Sequence, residues 1–332
     1  MGPVALRLAW IDFAKGIGIV LVVVGHTGRG LSGQAFSDGE ELLSTMDQAI
    51  YAFHMPLFFI LSGITFGMRP PISINPSLRG RVWRLIYPLV IWTYIFLALQ
   101  AFAGDNSNAR SDWMGVLVWP VPPVAHFWFL WALLLITVLL AIVRMLCLSA
   151  MSDIQFWIST LVAASIISFS VTLPGHLTPF FGAGLSYLPV FAVGGLIGAS
   201  SFVRSVPNRV FASIAGTAFM IGLLATVFLY FGVPRHLSGT VLSLLLIVPL
   251  MAISGRYALF RWAQGIAFLG VISMPIYVMH TIFSAGLRIM LLQVGLDSLL
   301  IHFVLGTVIG IIGPLIFYIL LKRQKALHYV GF

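Results

Sequence analysis

The segment Trp10–Arg29, near the start of the sequence, is predicted to form one apolar helix that carries ionisable groups. Asp12 and Lys15 lie near one end of it and His26 lies near the other. At about 100° and 1.5 Å per residue, Lys15 and His26 are roughly three turns apart, or ~16 Å along the axis, and share a face. Asp12, one turn before Lys15, joins that face. Because an unpaired charge exposed to lipid costs several kcal/mol, these side chains are predicted to line a protein interior.

His26 has two interpretations. In the structural one, it is a satisfied polar group at the outer end of the helix, and Asp12 and Lys15 form an ion pair at the inner interface. In the catalytic one, an intramembrane histidine that is followed by Thr27 and shares a face with two charges acts as a general base near neutral pH. We favour the catalytic interpretation, which assigns His26, Lys15 and Asp12 to a candidate catalytic group.

The stretch Phe53–Gly63, FHMPLFFILSG, is the second candidate. It places His54 at the start of a run of aromatic residues, and it ends in a serine and a glycine, a narrow point where a ligand or another backbone can approach. Phe58, Phe59 and Ser62 are therefore candidates for lining a ligand passage, and His54 is a candidate substrate contact. Aromatic residues of a membrane helix also pack in the protein interior, and that alternative stays open.

Arg79, Arg81 and Arg84 lie at the boundary between the predicted second and third spans. Arg81 and Arg84 are one helical turn apart, so their guanidinium groups can converge. Planar guanidinium groups bind phosphate oxygens in pairs, which predicts an anion site for a phosphorylated ligand. Loop arginines that set the membrane topology or contact anionic lipid are the alternative.

The stretch HFWFLWALL, 126–134, opens a later span with a histidine and two tryptophans. Trp128 is interpreted either as part of an interfacial aromatic belt or as a substrate contact. His126 is expected to add a second imidazole at the level of the histidine on the first helix. Both residues are assigned to a candidate substrate-binding group.

The stretch SMPIYVMH, 273–280, combines a helix-breaking proline with a histidine deep in a span. Pro275 lacks a backbone N–H and interrupts helical hydrogen bonding, so this span is predicted to be kinked or broken. His280 either lines a cavity at that point or packs as a satisfied core residue. Tyr277 and His280 complete the candidate substrate-binding group.

The composition places these stretches in a polytopic membrane protein. Of the 332 residues, 60% are hydrophobic and 8% are charged, whereas soluble domains carry about 25% charged residues. Apolar runs long enough to cross a bilayer recur along the sequence, which predicts an all-α bundle of about ten transmembrane helices in a single domain over residues 1–332. The predicted spans are Trp10–Gly28, Ala49–Phe66, Leu85–Phe102, His126–Leu146, Phe156–Leu173, Leu185–Phe202, Val210–Phe231, Leu237–Ile253, Phe268–Leu292 and Leu299–Leu321.

The formal net charge of +9 is explained by topology, and no nucleic-acid partner is predicted. With the N-terminus inside, the inner loops receive fourteen of the eighteen Lys and Arg residues, and the outer loops receive seven of the nine Asp and Glu residues. This distribution follows the positive-inside rule and places both termini in the cytoplasm.

The sequence has a single cysteine, Cys147, and its Cys and His residues lack the spacing of zinc ligands. Neither a disulfide nor a metal site is therefore predicted. GGLIG at 194–198 and GTVIG at 306–310 predict close helix packing.

Taken together, these motifs resemble the membrane-bound acyltransferase 3 family, especially its fucose 4-O-acetylase-like branch. The family's first helix has a basic residue and, after ten further residues, a histidine, which here are Lys15 and His26. The F-H-M-P-L-F-F-x-L-S-G, R-x-x-R, W-F-L and S-x-P-I-Y-x-x-H patterns follow in order in the stretches described above. Lys15 stands where many members have arginine. No fused soluble domain is expected within residues 1–332.

The resemblance implies transfer of an acyl group, usually acetyl, from cytoplasmic acyl-CoA to a sugar hydroxyl of an exopolysaccharide, surface glycan or lipid-linked saccharide at a bacterial inner membrane. Acetyl-CoA is then the expected donor, with its phosphates on Arg81, Arg84 and Arg79. The expected partners are this donor, the saccharide acceptor and membrane lipid, and the oligomeric state stays open. His26 would remove the proton of the acceptor hydroxyl, and an acetyl-His26 intermediate is the rival mechanism.

A secondary transporter or flippase for a saccharide or anionic substrate is the alternative function, with the same intramembrane charges serving as a proton relay. The inner arginine pair, the histidine with its basic partner on the first helix and the absence of an internal repeat favour the enzyme. A purely structural membrane protein would not need buried ionisable residues.

Overall fold

The computed structural model of the protein describes residues 9–32, 39–68, 76–104, 121, 123–147, 151–200 and 260–332. Within these ranges there is no strand, and eight helices are long and apolar enough to cross a membrane. The prediction of an all-α polytopic membrane protein is therefore confirmed. The count of ten spans, the single domain and the cytoplasmic termini stay predictions, and the predicted spans Val210–Phe231 and Leu237–Ile253 lie outside the described residues.

The described helices overlap the predicted apolar runs. Their bounds are α1 Ala9–Leu31, α2 Glu40–Gly67, α3 Pro76–Ala103, α4 Trp128–Leu146, α5 Asp153–Ser170, α6 Thr178–Ala199, α7 Arg261–Val271, α8 Ser273–Gln293 and α9 Leu299–Arg323, with short 3₁₀ turns at Ala125–Phe127 and Leu327–Val330. However, α3, α6 and α7 begin seven to nine residues before the predicted starts at Leu85, Leu185 and Phe268.

The helix α2 begins well before the predicted start of its span at Ala49. The additional turns are amphipathic: Leu43 is buried against Leu31 of α1, while Asp47 carries a salt bridge to Arg29. A criterion based on hydropathy alone stops at such polar residues, which explains the difference. The additional turns extend the contact between α1 and α2.

The predicted ninth span is broken into α7 and α8. The break falls at Ile272, which has φ −99° and ψ 23°. Pro275 is the third residue of α8, within the first turn, where a backbone N–H has no intrahelical acceptor and its absence costs little. The proline therefore allows a new helix to start and does not kink a continuous one.

Contacts divide the chain into two compact units. The first unit comprises Met1–Phe58 and Ser205–Ile319. In it, α1 packs along α7 and α8. An added Cβ at Gly16 would fall on the carbonyl oxygen of Ile266, and one at Gly270 would fall on that of Asp12. The backbones of α1 and α7 are therefore in direct contact near Asp12, at the beginning of α1.

The second unit comprises Phe59–Arg204 and Leu320–Phe332. Here the end of α2 packs on α6: an added Cβ at Gly63 would meet the carbonyl oxygen of Phe191, and one at Gly194 would meet that of Ile60. The close packing predicted for GGLIG is confirmed. In the first unit, Gly306 of GTVIG lies against Thr27, which confirms the same prediction there.

The helices also have exposed apolar faces. On α9, Val304, Val308, Ile312 and Ile316 are exposed at four-residue spacing, and on α5 Ile158, Val162 and Ile166 are exposed in the same way. Rows of this kind would be unfavourable in water and are typical of surfaces that contact lipid. They agree with the membrane assignment.

Candidate active site

His26 and His280 form the centre of the candidate site, in the first unit. His26 lies on α1 and His280 on α8, and their ring centroids are 5.0 Å apart with the planes inclined at 65°. His280 is fully buried and His26 is half-buried. A Cβ at Gly310 of α9 would contact the hydroxyl of Ser284 and the side chain of Val23. This glycine therefore lets three helices approach closely beside the histidine pair.

Backbone contacts fix the orientation of the His280 ring. Its Nδ1–H donates to the carbonyl oxygen of Tyr277 at 2.7 Å and also approaches that of Ile276 at 3.1 Å. Because both partners are acceptors, the hydrogen is assigned to Nδ1 and the lone pair to Nε2. The ring of Tyr277 lies 6.3 Å from that of His280. The structure thus brings His26 together with His280, which the sequence analysis had assigned to a separate substrate-binding group with Tyr277.

His54 of α2 contributes another buried imidazole to the same unit. It is 1% exposed, and its Nδ1–H donates to the carbonyl oxygen of Ile50 at 2.7 Å. Nε2 therefore carries the lone pair and has no hydrogen-bond partner in the described part of the chain. Arg29 and His280 both lie within electrostatic range of this ring. Nε2 of His54 is available to accept a hydrogen bond from a ligand hydroxyl.

A line of polar contacts runs along α2 to His54. Arg29 donates to both carboxylate oxygens of Asp47 at 2.8 to 3.2 Å. The same guanidinium lies 5.1 Å from the centre of the Tyr51 ring, which in turn meets the His54 ring edge-on at 5.3 Å. Asp47, Tyr51 and His54 share one face of the helix because they are spaced by four and three residues. This face connects the exposed Arg29–Asp47 pair to the buried imidazole.

Asp12 and Lys15 lie at the other end of α1. Asp12 is buried and Lys15 is half-buried. Because α1 is one helix from Ala9 to Leu31, Lys15 is ~16 Å from His26 along its axis, too far for direct contact. Gly18 lies between Lys15 and His26 in the chain, and the edge of the Phe58 ring packs against it. A Cβ added at Gly18 would be 3.0 Å from that ring.

In the second unit, the predicted residues Phe59 and Trp128 stack with Tyr187, which the sequence analysis did not assign to the site. The ring of Phe59 lies 4.4 Å from that of Tyr187 at an angle of 8°, and Trp128 lies 5.7 Å from Tyr187 at 25°. Phe59 is fully buried, whereas Trp128 and Tyr187 are half-buried. The structure therefore brings together Phe59 and Trp128, assigned from sequence to different groups. Ser62, half-buried one turn further along α2, accepts a hydrogen bond at its carbonyl oxygen from Thr65 at 2.9 Å.

His126 also belongs to the second unit. It is buried, and its ring lies 5.5 Å from that of Phe96 and 4.3 Å from that of Phe127. The preceding residue, Ala125, has φ 47°, a conformation that side-chain-bearing residues rarely adopt. Whereas the second imidazole beside His26 was expected from His126, the described ring contact of His26 is with His280.

The three predicted phosphate-binding arginines lie on the first turns of α3. Arg79 and Arg84 are exposed, and Nε–H of Arg84 donates to the carbonyl oxygen of Gly80 at 3.0 Å. Arg81 is half-buried, with its guanidinium carbon 5.2 Å from the centre of the Phe66 ring. The described contacts of Arg81 and Arg84 thus go to different partners.

Arg288 of α8 is a residue that the sequence analysis did not assign to the site. It is buried at 6% exposure, and its Nη1–H donates to the carbonyl oxygen of Gly30 near the end of α1. Its Nε has no hydrogen-bond partner among the described residues. From the sequence, Arg288 is one of the four basic residues on the outer side and, with Pro275, a sign that the ninth span is kinked or broken; no neighbouring motif marks it as a site residue.

The fold and this site define a multi-pass α-helical membrane protein in which a half-buried histidine, His26, pairs with a fully buried one, His280. The acyltransferase 3 family, described as an acyltransferase domain, matches residues 8–319, and the chain belongs to this family. The resemblance inferred from the motifs is confirmed.

Two curated relatives carry the name nodulation protein NolL. The chain is 28% identical over 182 residues to that of Mesorhizobium japonicum, covering 53% of this chain and 46% of the relative. It is 31% identical over 186 residues to that of Sinorhizobium fredii, covering 53% of this chain and 47% of the relative. The chain thus spans about half the length of these relatives. No solved structure matches it.

Proposed function

We propose that the protein is a membrane-embedded O-acyltransferase that moves an acetyl group from cytoplasmic acetyl-CoA to a sugar hydroxyl. The acceptor is an exopolysaccharide, surface glycan or lipid-linked saccharide, and the enzyme acts in a bacterial inner membrane. Membership of the acyltransferase 3 family supports acyl transfer. The observation that carries the assignment of the site is the pairing of His26 with a buried His280 whose ring is fixed by backbone hydrogen bonds.

His26 acts as the general base in this proposal. Its imidazole removes the proton of the acceptor hydroxyl, and the hydroxyl oxygen forms a bond to the thioester carbonyl carbon. When the carbon–sulfur bond breaks, His26 returns the proton to the leaving sulfur, so that no proton is gained or lost overall. His280 is a positioning residue: its fixed ring holds the imidazole of His26 in one orientation. His54 offers Nε2 to a further hydroxyl of the sugar.

The donor phosphates are proposed to bind at the start of α3. Arg79 and Arg84 are exposed there and Arg81 is half-buried, so all three guanidinium groups are at least partly accessible. Guanidinium groups suit the phosphate and diphosphate groups of CoA because they bind oxygens in pairs. Asp12 and Lys15 are proposed to keep the inner end of α1 polar for the donor, and Phe58, Phe59 and Ser62 stay predicted contacts of the pantetheine arm.

The proposal is tested by acetyl-CoA-dependent labelling of membranes. Membranes containing the protein are incubated with acetyl-CoA labelled in the acetyl group, and base-labile label is measured in the saccharide and lipid-linked saccharide fractions. His26→Ala is expected to lower transfer by about 10² to 10⁴-fold, because a positioned general base contributes that much. The control is His302→Ala, which removes a buried histidine whose Nε2–H donates to the carbonyl oxygen of Leu296 at 2.6 Å. Transfer at the wild-type rate in the His26 variant would overturn the proposal.

A rival mechanism and a rival function give different results in the same preparation. An acetyl-His26 intermediate would incorporate label into the protein in a burst without acceptor, and hydroxylamine would release it. A transporter or flippase would show uptake of saccharide into vesicles without any covalent transfer of label.

A further inference from the structure

We propose that Arg288 binds an anionic group of the acceptor, a phosphate or a carboxylate, and that the enzyme thereby selects negatively charged saccharides. The inference rests on the proposed transfer to a saccharide acceptor. It names a property of that acceptor which neither the motifs nor the relatives assign.

The first argument is the local environment of the Arg288 side chain. It lies within a candidate membrane-spanning helix, is 6% exposed, and makes a hydrogen bond through one N–H to the carbonyl oxygen of Gly30. A guanidinium has five N–H donors. Nε is fully buried, and in the described part of the chain it has no acceptor. The side chain therefore has donor capacity that the protein residues described here do not use.

The second argument is charge. Two other arginines at the ends of candidate spans are paired with acids: Arg29 with Asp47, and the buried Arg144 with Asp153. Arg288 has no such carboxylate partner among the residues that the structure describes. A buried cation inside a membrane is unfavourable without a compensating anion. A ligand that brings the anion supplies this compensation when it binds.

The third argument is position. The residue that Arg288 contacts, Gly30, follows His26 by one helical turn, or ~6 Å along α1. Arg288 itself follows His280 by about two turns of α8. The hydroxyl of Thr27, between these levels on α1, is buried and has no hydrogen-bond partner within the described ranges. An anionic group held by Arg288 would thus lie roughly one sugar unit from a hydroxyl at His26.

A structural alternative is that Arg288 only caps the end of α1. Side chains of this type do bond to the last carbonyl groups of helices, where the helix dipole favours a cation. A cap needs one N–H donor, which the amide of glutamine also provides. Binding of an anion needs the charge and, for paired oxygens, the planar guanidinium. Arg288→Gln and Arg288→Lys therefore separate the two roles.

The experiment measures binding without catalysis. The purified full chain in phosphatidylcholine nanodiscs is titrated with undecaprenyl phosphate and, separately, with uncharged undecaprenol, and the Kd values are compared. A second pair of probes, glucuronic acid and glucose, distinguishes a carboxylate from a phosphate as the recognised group. We expect one anionic probe to bind at least tenfold more tightly than its neutral counterpart. Arg288→Gln should lower the ratio of the neutral to the anionic Kd by about 10- to 100-fold, and Arg288→Lys should keep part of the preference.

Arg323→Gln is the matched control, since it removes one positive charge at an exposed position at the end of α9. It should leave the preference unchanged. The inference is overturned if the wild-type chain prefers neither anionic probe, or if Arg288→Gln keeps the wild-type preference. If Arg288→Gln does not fold, Arg288→Lys is decisive, and full wild-type affinity in that variant overturns the inference. Acetyl transfer in the same preparations is scored separately, so transfer without any preference for anions contradicts this inference and leaves the proposed function intact.

Discussion

At the scale of single residues, the site depends on which nitrogen of each histidine is committed to the backbone. His280 and His54 each donate Nδ1–H to a carbonyl oxygen of the preceding turn, at 2.7 Å. Both rings therefore keep a lone pair on Nε2, and that of His54, which has no hydrogen-bond partner in the described part of the chain, suits a ligand hydroxyl. An acceptor saccharide provides such hydroxyl donors.

The positioning role of His280 predicts a selective loss of rate. His280→Ala should lower acetyl transfer by about 10- to 100-fold, part of the general-base contribution, because the ring of His26 loses the neighbour that holds it. The pH profile of the transfer rate should also change shape, since the environment of the base changes. The rate of labelling from acetyl-CoA in membranes is measured across pH.

The matched control is again His302→Ala, which removes a buried histidine that donates a hydrogen bond to the carbonyl oxygen of Leu296, just before α9. Its pH profile should keep the wild-type shape. A His280 variant whose rate falls by the same factor at every pH would indicate a folding defect and count against the positioning role.

The sequence identified the histidines but not their arrangement. The motif around His26, the aromatic run after His54 and the proline before His280 each marked one residue, because each lies in a local pattern. The pairing of His26 with His280 depends on contacts between helices far apart in the chain, which no local pattern encodes. Arg288 was missed because an isolated arginine near the end of a span is also typical of a topology signal.

At the scale of elements, glycines set how closely the helices approach. Within the first unit, α1 and α7 meet at Gly16 and Gly270, and within the second, α2 and α6 meet at Gly63 and Gly194. At each of these positions a Cβ would fall on a backbone oxygen, which cannot move aside as a flexible side chain can. Membrane helices use small residues for such contacts because lipid provides no hydrophobic drive to association.

Gly63→Ala should destabilise the protein by about 1 to 3 kcal/mol, because the new methyl group overlaps the carbonyl oxygen of Phe191. Gly286→Ala on α8 is the control, since nothing lies within 4 Å of its Cβ position and alanine favours a helix over glycine. Thermal unfolding of the purified variants in detergent is followed by intrinsic fluorescence. A Gly63 variant as stable as the Gly286 variant would contradict the close contact.

The element boundaries show what hydropathy can predict. The central apolar part of each membrane-length described helix was predicted, because length and hydrophobicity define a membrane span, whereas most of the short α7 lies outside the predicted ninth span. The first turns of α2 were not, since they carry charged residues whose helical state depends on partners in α1 such as Arg29. The break at Ile272 was anticipated from Pro275, but whether it separates two helices or bends one is decided by packing.

At the scale of the whole molecule, the proposed reaction depends on how the chain is oriented in the membrane. The positive-inside distribution predicts that Arg81 and Lys15 lie on the cytoplasmic side and His26 toward the other side. In that orientation, the arginines at the start of α3 would face the cytoplasmic pool of acetyl-CoA.

Reporter fusions test that orientation directly. Alkaline phosphatase fused after His176, in the exposed turn between α5 and α6, should be active, because the charge distribution places this turn outside. The same reporter fused after Gln324, just beyond Arg323 at the end of α9, should be inactive, while green fluorescent protein at that position should fluoresce. Each position thus serves as the control for the other. Active phosphatase after Gln324 would reverse the predicted orientation, and the arginines at the start of α3 would then face away from the cytoplasmic pool of acetyl-CoA.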